Sequence, residues 1–499
     1  MTARTPALTL EELRVAVDGG EIDTVLLALV DMQGRLQGKR FHAPYFLAEV
    51  VGHGSEACNY LLAVDVEMNT VDGYAMSSWE RGYGDFAMVP DLTTLRRVPW
   101  QPGTAMLLAD LAWLNSSGDV VASPRQILRR QLDRLAAHGL TAYAGTELEF
   151  VLYRDSYEDA WRRSYRELTP ANLYNVDYSL LGTARVEPLL RRIRNEMAGA
   201  GLVPESAKGE CNLGQHEIAF RYADALTCAD NHVIYKNGAK EIAAQEGMAI
   251  TFMAKPNERE GNSCHIHFSL RSADGTSAML AETPAAGGFG SAGGSGSAGD
   301  MEPAEGSALA ATAGGPAVPG ATGGRADPPL SVTGRRVLAG LLATMREFSL
   351  LFAPNINSYK RYQPVSFAPT ALRWGVDNRT CALRLVGHGQ GMRVENRVPG
   401  ADVNPYLAIA ALVAGAVHGI EAGLALEREC TGNAYDDGSA PRLPATLRDA
   451  LVLWEESRLA RAAFGDEVVA HYANNARVEL AAFDAAVPDW ELFRGFERL

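Results

Sequence analysis

Apolar residues fall along this chain in two rhythms, one of three to four residues and one of two. The slower rhythm predicts helices. Leu10–Asp18 is the first, with Thr9 as N-cap and Glu12 at the capping-box position, and Phe46–His53 the second. A longer one opens at Ser123-Pro124, carries Ile127, Leu128, Leu132 and Leu135 on one face and stops at Gly139. Further helices fit 187–200, 224–247, 335–352, 405–423, 445–463 and 466–486. The faster rhythm and short apolar runs predict strands at 24–31, 60–66, 106–113, 142–153, 215–222, 264–270, 381–386 and 392–398, with an extended arm at 85–95. Gly34 and Gly38 suit a turn between the first strands. The expectation is an α+β protein: a small β-rich unit over 1–119, then a larger body over 120–499 whose strands interleave with helices.

One stretch keeps neither rhythm. From Thr283 to Asp327 the chain is Gly, Ala, Ser and Pro with scarcely a large apolar residue, so it cannot offset its ordering entropy by burial. A disordered surface insertion is expected there. Elsewhere the chain is ordinary: 499 residues, 47% hydrophobic and 21% charged. Its 46 Lys and Arg against 60 Asp and Glu give a net charge of −14 with no basic block, which argues against nucleic acid or an anionic membrane as partner. The N-terminus lacks the apolar core of a signal peptide, and Tyr406–Val417, the most apolar long run, is too short for a bilayer. A cytoplasmic location follows as the expectation. Six scattered cysteines without a CxxC pair suggest small core residues, not disulfides or a thiolate zinc site.

Candidate chemistry lies where alternation carries charge. Glu205–Tyr222 reads ESAKGECNLGQHEIAFRY, with Glu210 and Glu217 on either side of a Gly-containing turn. Beyond the turn Glu217, Ala219 and Arg221 share one strand face, and Ile218, Phe220 and Tyr222 the other. Two buried acids ~4 Å apart repel by roughly 4 kcal/mol in a protein-like dielectric, so such a face must bind protons, cations or metal. Three more segments repeat the device: Glu147 and Glu149 in GTELEF; His265, His267 and Ser269 in CHIHFS; Arg393, Glu395 and Arg397 in RVENR. Singly, each reads equally well as a solvated strand face. Together they form a set of five carboxylates and one imidazole, oxygen-rich and free of thiolate, which favours Mg²⁺ or Mn²⁺ over zinc and carries charge for more than one ion. Around them lie Arg361 in NSYKRY, Arg379 and Arg384 in DNRTCALR, and Arg393 and Arg397, and the arginine fork matches phosphate and carboxylate. The class these features imply is metal-assisted phosphoryl transfer with an acidic co-substrate.

Taken in order, GTELEF, GECNLGQHE, GNSCHIHFS, NSYKRY, NRTCALR, RVENR and NPYLAIAALVAG resemble the successive motifs of the glutamine synthetase family across residues 145–415. DMQGRLQGKR and GDFAMVPDLTTLRRVPW resemble its N-terminal β-grasp domain. The resemblance implies a β-grasp domain followed by a catalytic domain, an antiparallel sheet surrounded by helices. It implies two divalent ions in a funnel between neighbouring subunits of a homo-oligomer, a dodecamer of two hexameric rings. Glu149, Glu210 and Glu217 match the ligands of the ion beside glutamate, and Glu147, His265 and Glu395 those of the ion beside ATP. Gly261, Arg361, Arg379 and Arg397 match glutamate-binding positions, with Arg379 and Arg397 counted as catalytic. Glu205, His267, Ser269, Arg384 and Arg393 match positions near the nucleotide. By the same resemblance ATP phosphorylates the γ-carboxylate of glutamate, and an amine then displaces phosphate to leave an amide.

The departures lie at the amine end. Family members that use ammonia carry a Glu six residues beyond the Arg of NSYKR; here that position is Phe367. An aromatic ring cannot accept a proton, although it can pack on an alkyl chain or offer a cation its π-face. The family's DGSS motif is also not recognisable, and Asp65 and Glu67 in AVDVEMNTVDGY are the acids available nearby. The expectation is therefore a γ-glutamyl ligase for ethanolamine or a polyamine. The alternatives are a glutamine synthetase using ammonia, a non-catalytic nitrogen-sensing relative and an ATP-dependent guanidino kinase.

Overall fold

The structure, a computed structural model, describes residues 7–114, 118–281 and 329–499. The expected insertion at 283–327 lies outside the described residues. Two sheets organise what is described. The first has strand order β2, β1, β5, β4, β3, built from β1 (Thr24–Val30), β2 (Leu36–His42), β3 (Ser55–Cys58), β4 (Asp85–Arg97) and β5 (Thr104–Trp113). β1 and β5 pair in parallel and the other neighbours antiparallel. TVLLALV is apolar at nearly every position, which suits a strand paired on both edges, while the polar LQGKRFH of β2 forms an edge. Leu10–Asp18 packs here with its capping box formed, Glu12 N–H donating to Thr9 Oγ1 at 3.2 Å. Leu13, Val25, Leu27, Phe46, Phe86 and Leu107 belong to the core of this part.

Two expectations in this region need correcting. Gly38 is inside β2, opposite Ala28, where a Cβ would stand 2.1 Å from the Leu27 carbonyl oxygen. The turn belongs to Gly34 alone, at φ +78°, with Asp31 Oδ1 accepting from the amides of Gln33 and Arg35 at 3.0 and 2.8 Å. The strand expected at 60–66 is instead a tight helical turn, Asn59–Leu62, and the strand is Ser55–Cys58 just before it. Leu62, Ala63 and Val64 are buried consecutively, a pattern that a two-residue repeat with one inward face does not produce.

The second sheet has nine strands. Its main path runs β12 (Trp374–Val376), β13 (Leu383–Val386), β14 (Arg393–Asn396), β11 (Cys264–Ser272), β6 (Leu140–Tyr153), β8 (Gln215–Phe220), β7 (Pro204–Gly209). Short strands β9 (Ala223–Asp224) and β10 (Ala249–Thr251) also pair with β6. All pairs are antiparallel except β12 with β13, so the sheet expected to be antiparallel is mixed at that edge. Helices Pro124–Ala136 and Ala225–Gln245 pack on β6, and Pro405–Glu421, buried along almost its whole length, packs against both of them. No described helix is long and apolar enough to cross a membrane.

Periodicity overran two helix breaks. The helix expected at 335–352 is two, Val332–Met345 and Ser349–Phe352, and that at 445–463 stops at Ser457, whose hydroxyl accepts from the amide of Ala460 at 2.8 Å to start the next. The apolar face continues across both breaks and hides them. Ser123 is an N-cap in backbone conformation only, since its side chain makes no capping bond. Three cysteines, Cys228, Cys264 and Cys381, are buried as expected, whereas Cys58, Cys211 and Cys430 are only half-buried.

The two parts are tied by a buried arginine. Arg125 is 1% exposed and pairs with Asp91 on β4 at 2.6 Å, Asp110 on β5 at 2.5 Å and Asp230 of the Ala225–Gln245 helix at 3.0 Å. The hydroxyl of Tyr406 donates to Asp230 at 2.6 Å. A guanidinium withdrawn this far from water is tolerable only with its donors used, and here all three nitrogens are.

Candidate active site

β6 is the spine of the site. Its GTELEF segment alternates, so Leu148 and Phe150 are fully buried while Glu147 and Glu149 share the other face. The registers on its two edges then decide what each glutamate meets. Glu147 lies opposite His265 of β11, and Glu149 opposite Glu217 of β8. One strand further out, His267 faces Glu395 of β14, and Glu395 in turn faces Arg384 of β13.

Two clusters result. Glu147, His265 and Glu395 each bring a donor atom within 4.8 Å of the others, and so do Glu149, Glu210 and Glu217. These are the two triads that the family resemblance implied. A third group, Asp177 with Glu210 and Cys211, adjoins the second triad.

The second triad crowds three acids together out of water. Glu149 is 8% and Glu217 7% exposed. Burial, with the Glu149 charge alongside, pushes the Glu210 carboxyl up to about 8, and burial raises Glu217 well above the ordinary range. Carboxyls that resist ionisation in water-poor surroundings are ready to exchange protons for a cation. Lys208, which faces Glu217 across the β7–β8 pair, brings its ammonium against Glu210 and within 3.7 Å of Glu217. Burial works against that charge, but Glu217 and Glu210 raise the lysine above its usual value. Glu149 is fixed by residues that alternation alone did not single out. Ser263 donates to it through its amide at 2.8 Å and its hydroxyl at 2.6 Å, and Gln215 through Nε2 at 3.0 Å. Gln215 also donates to the Gly261 carbonyl at 3.0 Å, locking the HE strand to the GNS loop.

The first triad is balanced by cations. Burial disfavours the Glu395 charge, yet His265 and Arg397 beside it hold its carboxyl down at about 2. Arg384 donates to Glu395 at 2.9 Å, and Arg397 donates to its other oxygen. Burial also works against Glu147, but hydrogen bonds from His265 and His267 carry it well below the carboxylate range. The tautomer of His267 follows from its partners: Nδ1 accepts from Arg393 Nε at 3.0 Å, so Nε2 carries the proton given to Glu147 at 2.7 Å. His267 is therefore a relay from Arg393 to Glu147. Burial and the Arg397 charge push His265 below its usual value, while Glu147 and Glu395, each 3.4 Å from its Nδ1, work the other way.

The other expected residues are placed unevenly. Arg361 is 3% exposed and donates to the Val398 carbonyl at 2.9 Å; a Cβ on Gly261 would stand 2.6 Å from Arg361 Cγ, so the glycine makes room for the arginine. Arg397 donates to the Phe367 carbonyl at 3.3 Å and keeps Nε buried without a hydrogen-bond partner. Phe367 itself is 61% exposed at φ +58°. Arg379 is exposed on the turn after β12, and Glu205 is exposed on β7. Ser269 lies on β11 opposite Tyr143, and near it Arg271 stacks on the Tyr143 ring at 4.8 Å and donates to the Tyr222 hydroxyl at 3.0 Å. Asp65 and Glu67 have other neighbours among the described residues. Asp65 accepts from the Asn69 amide at 2.8 Å, and both acids add to the raised pKa of Glu479 after its own burial.

The family model of the glutamine synthetase catalytic domain matches residues 121–305 and 307–494. The chain belongs to the glutamine synthetase family. It is similar to the γ-glutamylethanolamide synthetase GlnA4 of Streptomyces coelicolor, 64% identical over 99% of this chain and 97% of that protein. It is also similar to the glutamate–isopropylamine ligase of a Pseudomonas species, 38% identical over 97% of each chain. The solved GmaS/ADP complex shares the fold, with a TM-score of 0.77 at 24% identity over 97% of this chain and 99% of that one. The protein is thus an ATP-dependent amide-forming ligase, and ligases of this family work with ATP and divalent metal.

Proposed function

We propose that this protein joins the γ-carboxylate of glutamate to a small organic amine, ethanolamine or a polyamine, through γ-glutamyl phosphate. The observation that carries the amine assignment is Phe367: its backbone carbonyl accepts from Arg397 and its ring is exposed, at the position where the resemblance puts a carboxylate in ammonia users. The names of the two relatives, one acting on ethanolamine and one on isopropylamine, support it.

Glu149, Glu210 and Glu217 would hold one divalent ion and Glu147, His265 and Glu395 a second, with oxygen-rich donors that suit Mg²⁺ or Mn²⁺. The ions would polarise the γ-carboxylate and phosphate oxygens and neutralise charge during transfer. Arg361 and Gly261 would bind glutamate; Arg379 and Arg397 would bind it and steady the transferring phosphoryl group. Glu205, Ser269, Arg384 and Arg393 with His267 would line the nucleotide side, where the Tyr143, Tyr222 and Arg271 stack offers flat faces to a purine. Asp65 and Glu67 would complete the amine pocket from a neighbouring subunit of the homo-oligomer. This reading includes a dodecamer of two hexameric rings, a cytoplasmic location, a β-grasp domain over 1–119 and a catalytic domain over 120–499.

A phosphate-release assay with ATP, Mg²⁺, glutamate and a panel of amines tests it. Release with ethanolamine or a diamine well above that with ammonium is expected. Ammonium as best substrate would make the protein a glutamine synthetase, and no amide with any amine would make it a non-catalytic relative.

A further inference from the structure

The second triad contains a cation of its own. Lys208 and Glu217 are register partners on β7 and β8, so their side chains rise from the same face of the pair. The lysine ammonium rests against Glu210, 3.7 Å from Glu217, and 5.0 Å from the centre of the Tyr178 ring, with 24% of the side chain exposed. At the first triad the positive charge comes from Arg384 and Arg397, whose guanidiniums are spread over further partners, Asp377 for one and the Phe367 carbonyl for the other. Lys208 differs in being a single charge on a flexible stem, with an aromatic face beside it on which an ammonium can rest.

A divalent ion that takes Glu210 and Glu217 as ligands must take the oxygens that Lys208 holds. We propose that Lys208 is the resident counter-ion of this site. It keeps three crowded acidic side chains together when no divalent ion is bound, and the ion enters by displacing its ammonium onto the Tyr178 ring. The lysine thereby sets the affinity of this one metal site without being a ligand. This inference rests on the two-ion reading above.

The test compares wild type with Lys208→Met, which keeps stem length and loses the charge, and with Lys208→Gln as a second neutral variant. Mn²⁺ binding is followed by calorimetry, and thermal midpoints are recorded with and without Mn²⁺. Removal of a competing charge a few ångströms from the ligands should tighten one of the two ions by about tenfold or more in both variants. It should also lower the midpoint of the metal-free protein while leaving that of the loaded protein near wild type, so the Mn²⁺-induced rise grows. Unchanged or weaker Mn²⁺ affinity, or a metal-free midpoint no lower than wild type, would overturn the proposal while wild-type Mn²⁺ binding leaves the two-ion reading intact. A wild-type protein that binds no Mn²⁺ would overturn both.

Discussion

Phe367→Glu puts the amine assignment at risk most directly. The site tolerates the exchange: the ring is 61% exposed, so its removal opens no cavity, and the φ of +58° costs a Glu no more than it costs a Phe. The carbonyl that Arg397 contacts at 3.3 Å is backbone and survives. What changes is chemical. Ammonium is charged at neutral pH and must lose a proton before it attacks, and a positioned carboxylate contributes about 10²–10⁴-fold to such a transfer. Even a loosely placed one attracts the cation by about 1 to 4 kcal/mol at ~4 Å, roughly fivefold to a thousandfold in binding. For an organic amine the ring provides apolar cover; losing contact with two methylenes at ~0.8 kcal/mol each costs about fifteenfold in kcat/KM. The ratio of ammonium to ethanolamine kcat/KM should therefore rise by two orders of magnitude or more, read by phosphate release under saturating ATP and glutamate. Phe367→Ala separates the two effects, since it should lower the ethanolamine value without raising that for ammonium. A Phe367→Glu protein that stays folded with the ratio unchanged would refute the reasoning.

Glu217→Ala should abolish amide synthesis and cost at least about a hundredfold in Mn²⁺ affinity, because it removes a ligand itself and not merely a supporting contact; its thermal midpoint without metal should hold, as one of three crowded acids is gone. Arg125→Met removes the cation from between Asp91, Asp110 and Asp230 and should lower stability by about 3–5 kcal/mol, measured by urea unfolding. His471 is driven by burial from 6.5 down to about 4, so the unfolded chain binds the extra proton between those values, and its contribution to stability is present above pH 6.5 and lost as pH falls towards 4. The urea midpoint should drop across that window by up to about 3 kcal/mol in free energy, and His471→Leu should flatten the slope.

The site was legible in the sequence because a two-residue repeat is a statement about faces. Once GTELEF, CHIHFS and RVENR are strands, Glu147 and Glu149, His265 and His267, and Arg393, Glu395 and Arg397 must each be co-facial, and the registers then bring the faces together. Lys208 was not legible, since its meaning depends on the β7–β8 register and on Tyr178 in a loop thirty residues earlier. Arg125 reads as an ordinary charge in the first turn of a helix until three aspartates from three elements close on it. Ser263 and Gln215 matter only through contacts with Glu149. The errors at 60–66 and Gly38 have one origin, local apolarity and glycine content taken for a strand and a turn where long-range packing decided.

Glu147 and Glu149 sit two residues apart on one continuous strand and serve two different clusters. The interval between the clusters is therefore written in covalent bonds, two strand residues or about 6.6 Å, and no loop movement can stretch it. Single substitutions at exposed positions such as 367 leave this ruler untouched. Inserting or deleting one residue between the two glutamates is another matter: it would turn one carboxylate into the layer that Leu148 and Phe150 fill and abolish one cluster outright. Substrate preference in such a scaffold is free to drift, while length between positions 147 and 149 is not.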